Sequence, residues 1–295
     1  MSEDDSRRRL RLVRPGEEPP ATTVAPPPAT HEGMPFPYPP GTFSNMFDLS
    51  GKTALIVGGG GGLSRAIACA MADFGARIVV ADLSLANAEA TAAACDRAGV
   101  DAMAAMLDVT DPDMVADVVS QVEAQTGGID ILLNGAGITI RKPAVDFTPE
   151  DWMAVINTNL SGVFYVTQAV GRYMLQRGYG RIVSIGSVSS LLGHPENQPY
   201  AAAKGGIAIM TKSFATEWAP FGVTVNAIGP AYTQTELTKN ILADPAVQAK
   251  LVSRIPTGRF GLPEDLVGAA VFLCSESARF VTGQTLYIDG GITAD

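Results

Sequence analysis

Cysteine is scarce in this chain of 295 residues: Cys69, Cys95 and Cys274 are the whole supply, with no Cys-x-x-Cys pair and two histidines. So few ligands build neither a disulfide framework nor a zinc site, and a reducing, cytoplasmic setting is expected. Charge is thin as well, at 17% of residues, and basic side chains are outnumbered 21 to 30, for a net charge of -9. Clustered Lys and Arg supply most nucleic-acid affinity, so no nucleic-acid partner is expected. What is plentiful is apolar residues, 46%, punctuated by 31 glycines. That balance describes a globular protein with a sizeable core and no membrane segment.

The 20 prolines are unevenly spread, ten of them within residues 1–45. This stretch has few aliphatics and cannot offset its ordering entropy by burial, so it reads as a flexible Pro-rich N-terminal extension. Arg7, Arg8 and Arg9 lead into Pro-Gly-Glu-Glu rather than an apolar segment, so no export signal is read there. Phe36, Tyr38, Phe43 and Phe47 keep open the alternative of an arm that docks on a neighbouring subunit. Residues 46–295 then fit a single domain.

Within 46–295, short apolar runs alternate with longer helical stretches. TALIV (53–57), RIVVA (77–81), AAMLDV (104–109), IDILL (129–133), RIVSI (181–185), VTVNAI (223–228) and a closing segment at 284–288 have strand character. Segments 63–74, 85–98, 112–125, 150–176, 199–218 and 263–274 are helical in pattern. The alternation predicts an α/β fold, a doubly wound (Rossmann) parallel sheet with helices on both faces. Ligands of such sheets bind beyond the carboxyl ends of the strands, where strand order reverses.

After the first strand come five glycines, Gly58 to Gly62, then Leu63 and a helix. A glycine turn there brings backbone N–H groups and a helix N-terminus to a pyrophosphate. The second strand ends at Asp82, whose carboxylate accepts both hydroxyls of an adenosine ribose and repels a 2'-phosphate. With no Arg or Lys at 59–62 or 83–86, NAD is expected over NADP; the plainer alternative is Asp82 as a helix N-cap. Asp108 and Val109 are placed to meet the adenine, and Asn134, Ala136 and Gly137 to let the cofactor lie against the backbone.

Tyr200 and Lys204 are four apart, hence one turn apart on one helix face, where an ammonium favours the phenolate of a general acid and base. Together with Ser187, Asn159 and the glycine turn, the pair resembles the short-chain dehydrogenase/reductase family over about 46–295. The resemblance implies that Tyr200 is the acid/base and that Ser187 orients the substrate oxygen. It implies that Lys204 lowers the Tyr200 pKa and holds the nicotinamide ribose, and that Asn159 holds a relay water. It also implies that Ile228, Pro230 and Thr233 contact the nicotinamide end, that about 233–258 forms the substrate loop, and that the chain assembles as a homotetramer.

The chain departs from the family pattern at Val57, Ser64, Gly135 and Ala231. Loss of a hydroxyl at 57 and of a tether at 135 predicts a looser turn. Within the family, GITIRKP (137–143) and the segment 258–291 look like sugar-acid oxidoreductases of the gluconate 5-dehydrogenase type. Arg141 is then a candidate for the substrate carboxylate, with a solvated loop Arg as the alternative. His194 reads as a loop residue, with a hydrogen bond to a polyol hydroxyl as the alternative. The rival readings are a 3-oxoacyl reductase and a non-catalytic nucleotide-binding interaction protein. They are separated by NADPH preference with a basic docking patch, and by binding without turnover.

Overall fold

The computed structural model describes Tyr38, residues 41–235, Thr238 and residues 244–294. Most of the extension, and part of the expected substrate loop, lie outside these residues. Seven strands form one parallel sheet: β1 (Thr53–Val57), β2 (Arg77–Asp82), β3 (Ala102–Met106), β4 (Ile131–Asn134), β5 (Gly180–Ile185), β6 (Val223–Pro230) and β7 (Thr285–Ile288). Their spatial order is β3-β2-β1-β4-β5-β6-β7, so the winding reverses between β1 and β4. The doubly wound fold expected from the alternation is the fold observed.

Strict alternation along the buried strands divides the core in two. Ala54 and Ile56 of β1 pack with Ile67 and Met71 of α1 (Gly62–Asp73) and Leu266 of α8 (Glu264–Cys274). Leu55 and Val57 face the other way, against Val119 of α3 (Pro112–Thr126) and Val170 of α5 (Gly162–Arg177). Each such Val, Leu, Ile or Met, fully buried, contributes about 1.5–3 kcal/mol before chain entropy is subtracted.

Local chemistry sets the helix ends. Ser84 caps α2 (Leu85–Asp96), Asp111 caps α3 with Pro112 in its first turn, and Thr148 with Asp151 forms a capping box on α4 (Pro149–Ile156). Gly127 and Gly178 end α3 and α5 in the left-handed conformation. The remaining helices are α6 (Gln198–Trp218) and α7 (Pro245–Val252).

Two expectations need correction. The stretch 150–176 is two helices, α4 and α5, joined through a π-helical turn at Asn157–Ser161. β3 runs over 102–106 instead of 104–109, because Asp108 turns the chain by accepting the Thr110 N–H at 2.8 Å and its hydroxyl at 2.7 Å. Asp108 and Val109 therefore sit in the loop after the strand. At the N-terminal side, the Met46 carbonyl accepts both the N–H and the hydroxyl of Ser277, which ties the start of the domain to its C-terminal part.

Candidate active site

A cleft of about 490 Å³ runs along the carboxyl edge of the sheet at the winding reversal. Its floor is the glycine turn, in which the five glycines are not equivalent. At Gly58, with φ at +67°, a Cβ would overlap the backbone nitrogen of Ala136. At Gly60 a Cβ would lie 2.6 Å from a carboxylate oxygen of Asp82, whereas Gly61 faces open space. Main-chain bonds hold the turn: Gly58 N–H to the Ala81 carbonyl at 2.8 Å, and Gly135 N–H to the Val57 carbonyl at 2.8 Å. The looser turn expected from Val57 is thus offset by backbone ties that need no hydroxyl.

Ser64 and Gly135 explain each other. A Cβ on Gly135 would run into the Ser64 hydroxyl, and Ser64 itself is buried. The volume that the family pattern places at 135 has moved to 64, so the two departures compensate one another.

The Asp82 carboxylate is fixed from both sides, one oxygen accepting the Gly60 N–H at 2.9 Å and the other the Ser84 N–H at 2.9 Å. Arg65, at the start of α1, spends its guanidinium on the Gly60 carbonyl at 2.5 Å and on Thr91 at 3.0 Å. α1 begins at Gly62 with no side-chain cap and no acidic residue in its first turn. Its free N–H groups and the positive end of its dipole face the cleft, so the residues present fit the pyrophosphate of a dinucleotide. Leu63, Asp108, Val109, Ala136 and Gly137 line the same cleft, together with Pro230 and Thr233 from the end of β6.

On the far wall stand Ser187, Tyr200 and Lys204. Ser187 follows β5 with its hydroxyl accepting the Ser189 N–H at 3.0 Å, and Tyr200 and Lys204 share a face in the first two turns of α6. The Lys204 ammonium donates to the Ile185 carbonyl at 2.5 Å and lies 5.5 Å from the centre of the Tyr200 ring. Burial drives the Lys204 pKa down to about 8. Burial pushes the Tyr200 phenol up, against a hydrogen bond with Ser187 and the field of Arg141, which both pull it down.

Three residues named from the sequence stand behind the cleft instead of on its surface. Asn134 is buried in β4, its amide donating to Thr167 at 2.9 Å and Ser184 at 3.3 Å, so its side chain holds α5 to the sheet. Asn159, in the π turn, accepts the Ile138 N–H and donates to the Ile138 carbonyl, both at 2.8 Å. It pins the loop after β4 and touches neither Tyr200 nor Lys204 through a side-chain hydrogen bond. Ile228 is wholly buried in β6.

A second, smaller cavity of about 70 Å³ opens off the first, and Ser187, Tyr200, Ala231 and Thr238 line both. Arg141, His194, Asn197 and Tyr232 are among its other lining residues. His194 is therefore a pocket residue, not a plain loop residue; its ring meets Tyr232 edge-on at 5.8 Å. Burial lowers its pKa, and the Arg254 and Arg141 charges lower it further, which favours the neutral imidazole. Asn197 is buried, accepts the Thr139 hydroxyl at 3.1 Å and follows Glu196, whose φ of 60° is the single left-handed non-glycine conformation among the described residues. Nothing in the periodicity marks His194 or Asn197; their nearness to Tyr200 in sequence is the only available signal.

Residues 58–293 match a family model described as Enoyl-(Acyl carrier protein) reductase. The chain is 42% identical to the gluconate 5-dehydrogenase of Gluconobacter oxydans, over 84% of its own length and 97% of that protein's. It is 40% identical to a 3-oxoacyl-[acyl-carrier-protein] reductase of Thermotoga maritima, over 83% and 98% of the two chains. A solved gluconate 5-dehydrogenase from Burkholderia cenocepacia, in complex with NADP and tartrate, is similar with a TM-score of 0.83 and 42% identity, over 85% and 98% of the two chains.

Proposed function

The chain belongs to the short-chain dehydrogenase/reductase family, and from that premise we propose that it oxidises and re-forms a secondary alcohol on a sugar acid, with NAD as its preferred dinucleotide. It is an NAD(P)-dependent oxidoreductase acting between alcohol and ketone. One observation carries the substrate reading: Ser187 and Tyr200 stand where the long cleft meets the small cavity that Arg141 and His194 line. The acid/base thus reaches the nicotinamide end of the one and a polar, guanidinium-bearing recess on the other.

When bound, the dinucleotide supplies hydride acceptance and return at its nicotinamide ring. The protein supplies position and a proton. Tyr200 takes the substrate hydroxyl proton in oxidation and returns it in reduction, while Ser187 holds the reacting oxygen. Arg141 holds the carboxylate and neutral His194 a neighbouring hydroxyl. Lys204 would hold the ribose hydroxyls from below.

NAD preference rests on Asp82, whose carboxylate is fixed at the cleft by two backbone N–H groups while Arg65 is engaged elsewhere. Homotetramer assembly is supported by exposed apolar side chains on and beside the long helices, Trp152, Phe164 and Ile209 among them. No described helix is long and apolar enough to cross a membrane, in keeping with the cytoplasmic setting proposed. The extension at 1–45 contributes to assembly or covers a neighbour's site.

Initial rates with NAD or NADP against a panel of gluconate-like acids and uncharged alcohols test these readings. Turnover on the acids, with higher kcat/KM for NAD and a narrowed NAD/NADP ratio in Asp82→Ser, is expected. Turnover on uncharged alcohols alone overturns the sugar-acid reading. A preference for NADP in the unaltered protein overturns the role given to Asp82.

A further inference from the structure

We propose that Cys69 and Cys95 form an oxidisable dithiol that joins α1 to α2 behind the adenosine end of the cleft. Their sulfurs lie 4.0 Å apart across the interface of the two helices. One turn nearer the cleft, Arg65 donates to the Thr91 hydroxyl at 3.0 Å. Residues 65 and 69, and likewise 91 and 95, are four apart, so both contacts lie along one stripe of each helix. The two helices carry small side chains in this core, Ala68 and Ala72 on α1 and Ala88 and Ala92 on α2. A disulfide needs its sulfurs about 2 Å apart, so bridging requires side-chain rotation and an approach of the helices.

The two thiols differ in access. Cys69 is half-buried, whereas Cys95 is buried and its thiol is pushed up to about 12, chiefly by burial and then by Cys69 beside it. Cys69 therefore meets a peroxide first. Its sulfur attacks one peroxide oxygen, the O–O bond breaks, and a sulfenic acid and water result. The Cys95 sulfur then attacks the Cys69 sulfur, the S–O bond breaks, and the departing hydroxide takes the Cys95 proton as a second water. Two thiols lose two electrons and two protons, and one hydrogen peroxide becomes two waters.

The link has a reason to matter. α1 carries the uncapped N-terminus at Gly62, α2 carries the Ser84 cap that holds Asp82, and Arg65 bridges the glycine turn to α2. Joining the helices fixes the spacing of the groups that grip the adenosine end. The NAD affinity of the oxidised and reduced forms should then differ about fivefold.

The full-length protein is treated with hydrogen peroxide, unfolded, alkylated and weighed. The expected product lacks two hydrogens, takes one alkyl group, at Cys274, and yields on digestion a peptide joining residues 69 and 95. Cys69→Ser and Cys95→Ser each abolish it, as does Cys95→Ala, which places no hydroxyl in the buried site. A sulfinic acid at Cys69 with Cys95 still alkylated, or a bridge between two chains, overturns the dithiol. Equal NAD affinity of the bridged and reduced protein overturns its coupling to the cleft.

Discussion

On the β1–β3 side of the cleft the grip is made of main chain, whereas on the β4–β6 side it is made of side chains. The first side works by what is missing: no Cβ at Gly58 or Gly60, no cap on α1, and backbone N–H groups aiming Asp82. The second works through groups that have one chemically competent identity each, Ser187, Tyr200 and Lys204. A grip made of backbone tolerates exchange of side chains provided the volume is conserved, as Ser64 and Gly135 illustrate. A site made of functional groups does not.

The sharpest blow to that contrast is Tyr200→Phe, which removes one hydroxyl and leaves the cleft's shape intact. Turnover should fall by about 10²–10⁴ in kcat/KM while NADH still binds by fluorescence titration. Appreciable residual turnover would place the proton transfer elsewhere.

Next comes Lys204, held near 8 against an ordinary 10.5. The unfolded chain binds more protons between these values, so stability of the NAD-free protein rises with pH from about 8 to about 10.5 and is penalised in full below about 8. The span is on the order of 3 kcal/mol, and Lys204→Met should flatten it. Urea unfolding at several pH values across that window reads the slope; an unchanged slope in the variant assigns it to another group.

The exchange of volume is tested by Gly135→Asn, which should cost about 1–3 kcal/mol against Ser64. Adding Ser64→Gly should recover most of it, a coupling that a double-mutant cycle measures directly. Additive effects would mean that the two positions are independent. The smallest effect is expected within the turn itself. Gly61→Ala should stay within about 0.5 kcal/mol, whereas Gly58→Ala, strained at φ +67° and pressed on Ala136, should weaken NAD binding.

Much of this was legible beforehand because the signals are local. TALIV is β1 residue for residue, the strand ends supplied the cleft, and a four-residue spacing put Tyr200 and Lys204 on one face. What stayed hidden depends on contacts between distant segments. Asn134 looks like a cleft residue until Thr167 and Ser184 are seen to claim its amide. Asn159 lies in a helical pattern that no periodicity splits, although the bond to Ile138 requires the π turn. Cys69 and Cys95 share no motif, and only the docking of α1 on α2 brings their sulfurs together.

That π turn also fixes something no substitution can probe. Its five residues, Asn157–Ser161, are wound more widely than the helices on either side. Five residues wound this way advance the chain by about 410°, close to the 400° of four α-helical residues, so the turn absorbs one extra residue without changing the phase of α5. Thr167 thereby stays on Asn134, and Val166 and Val170 stay in the core they fill. A single-residue deletion here should therefore leave α5 seated on the sheet and act on the segment that carries Asn159.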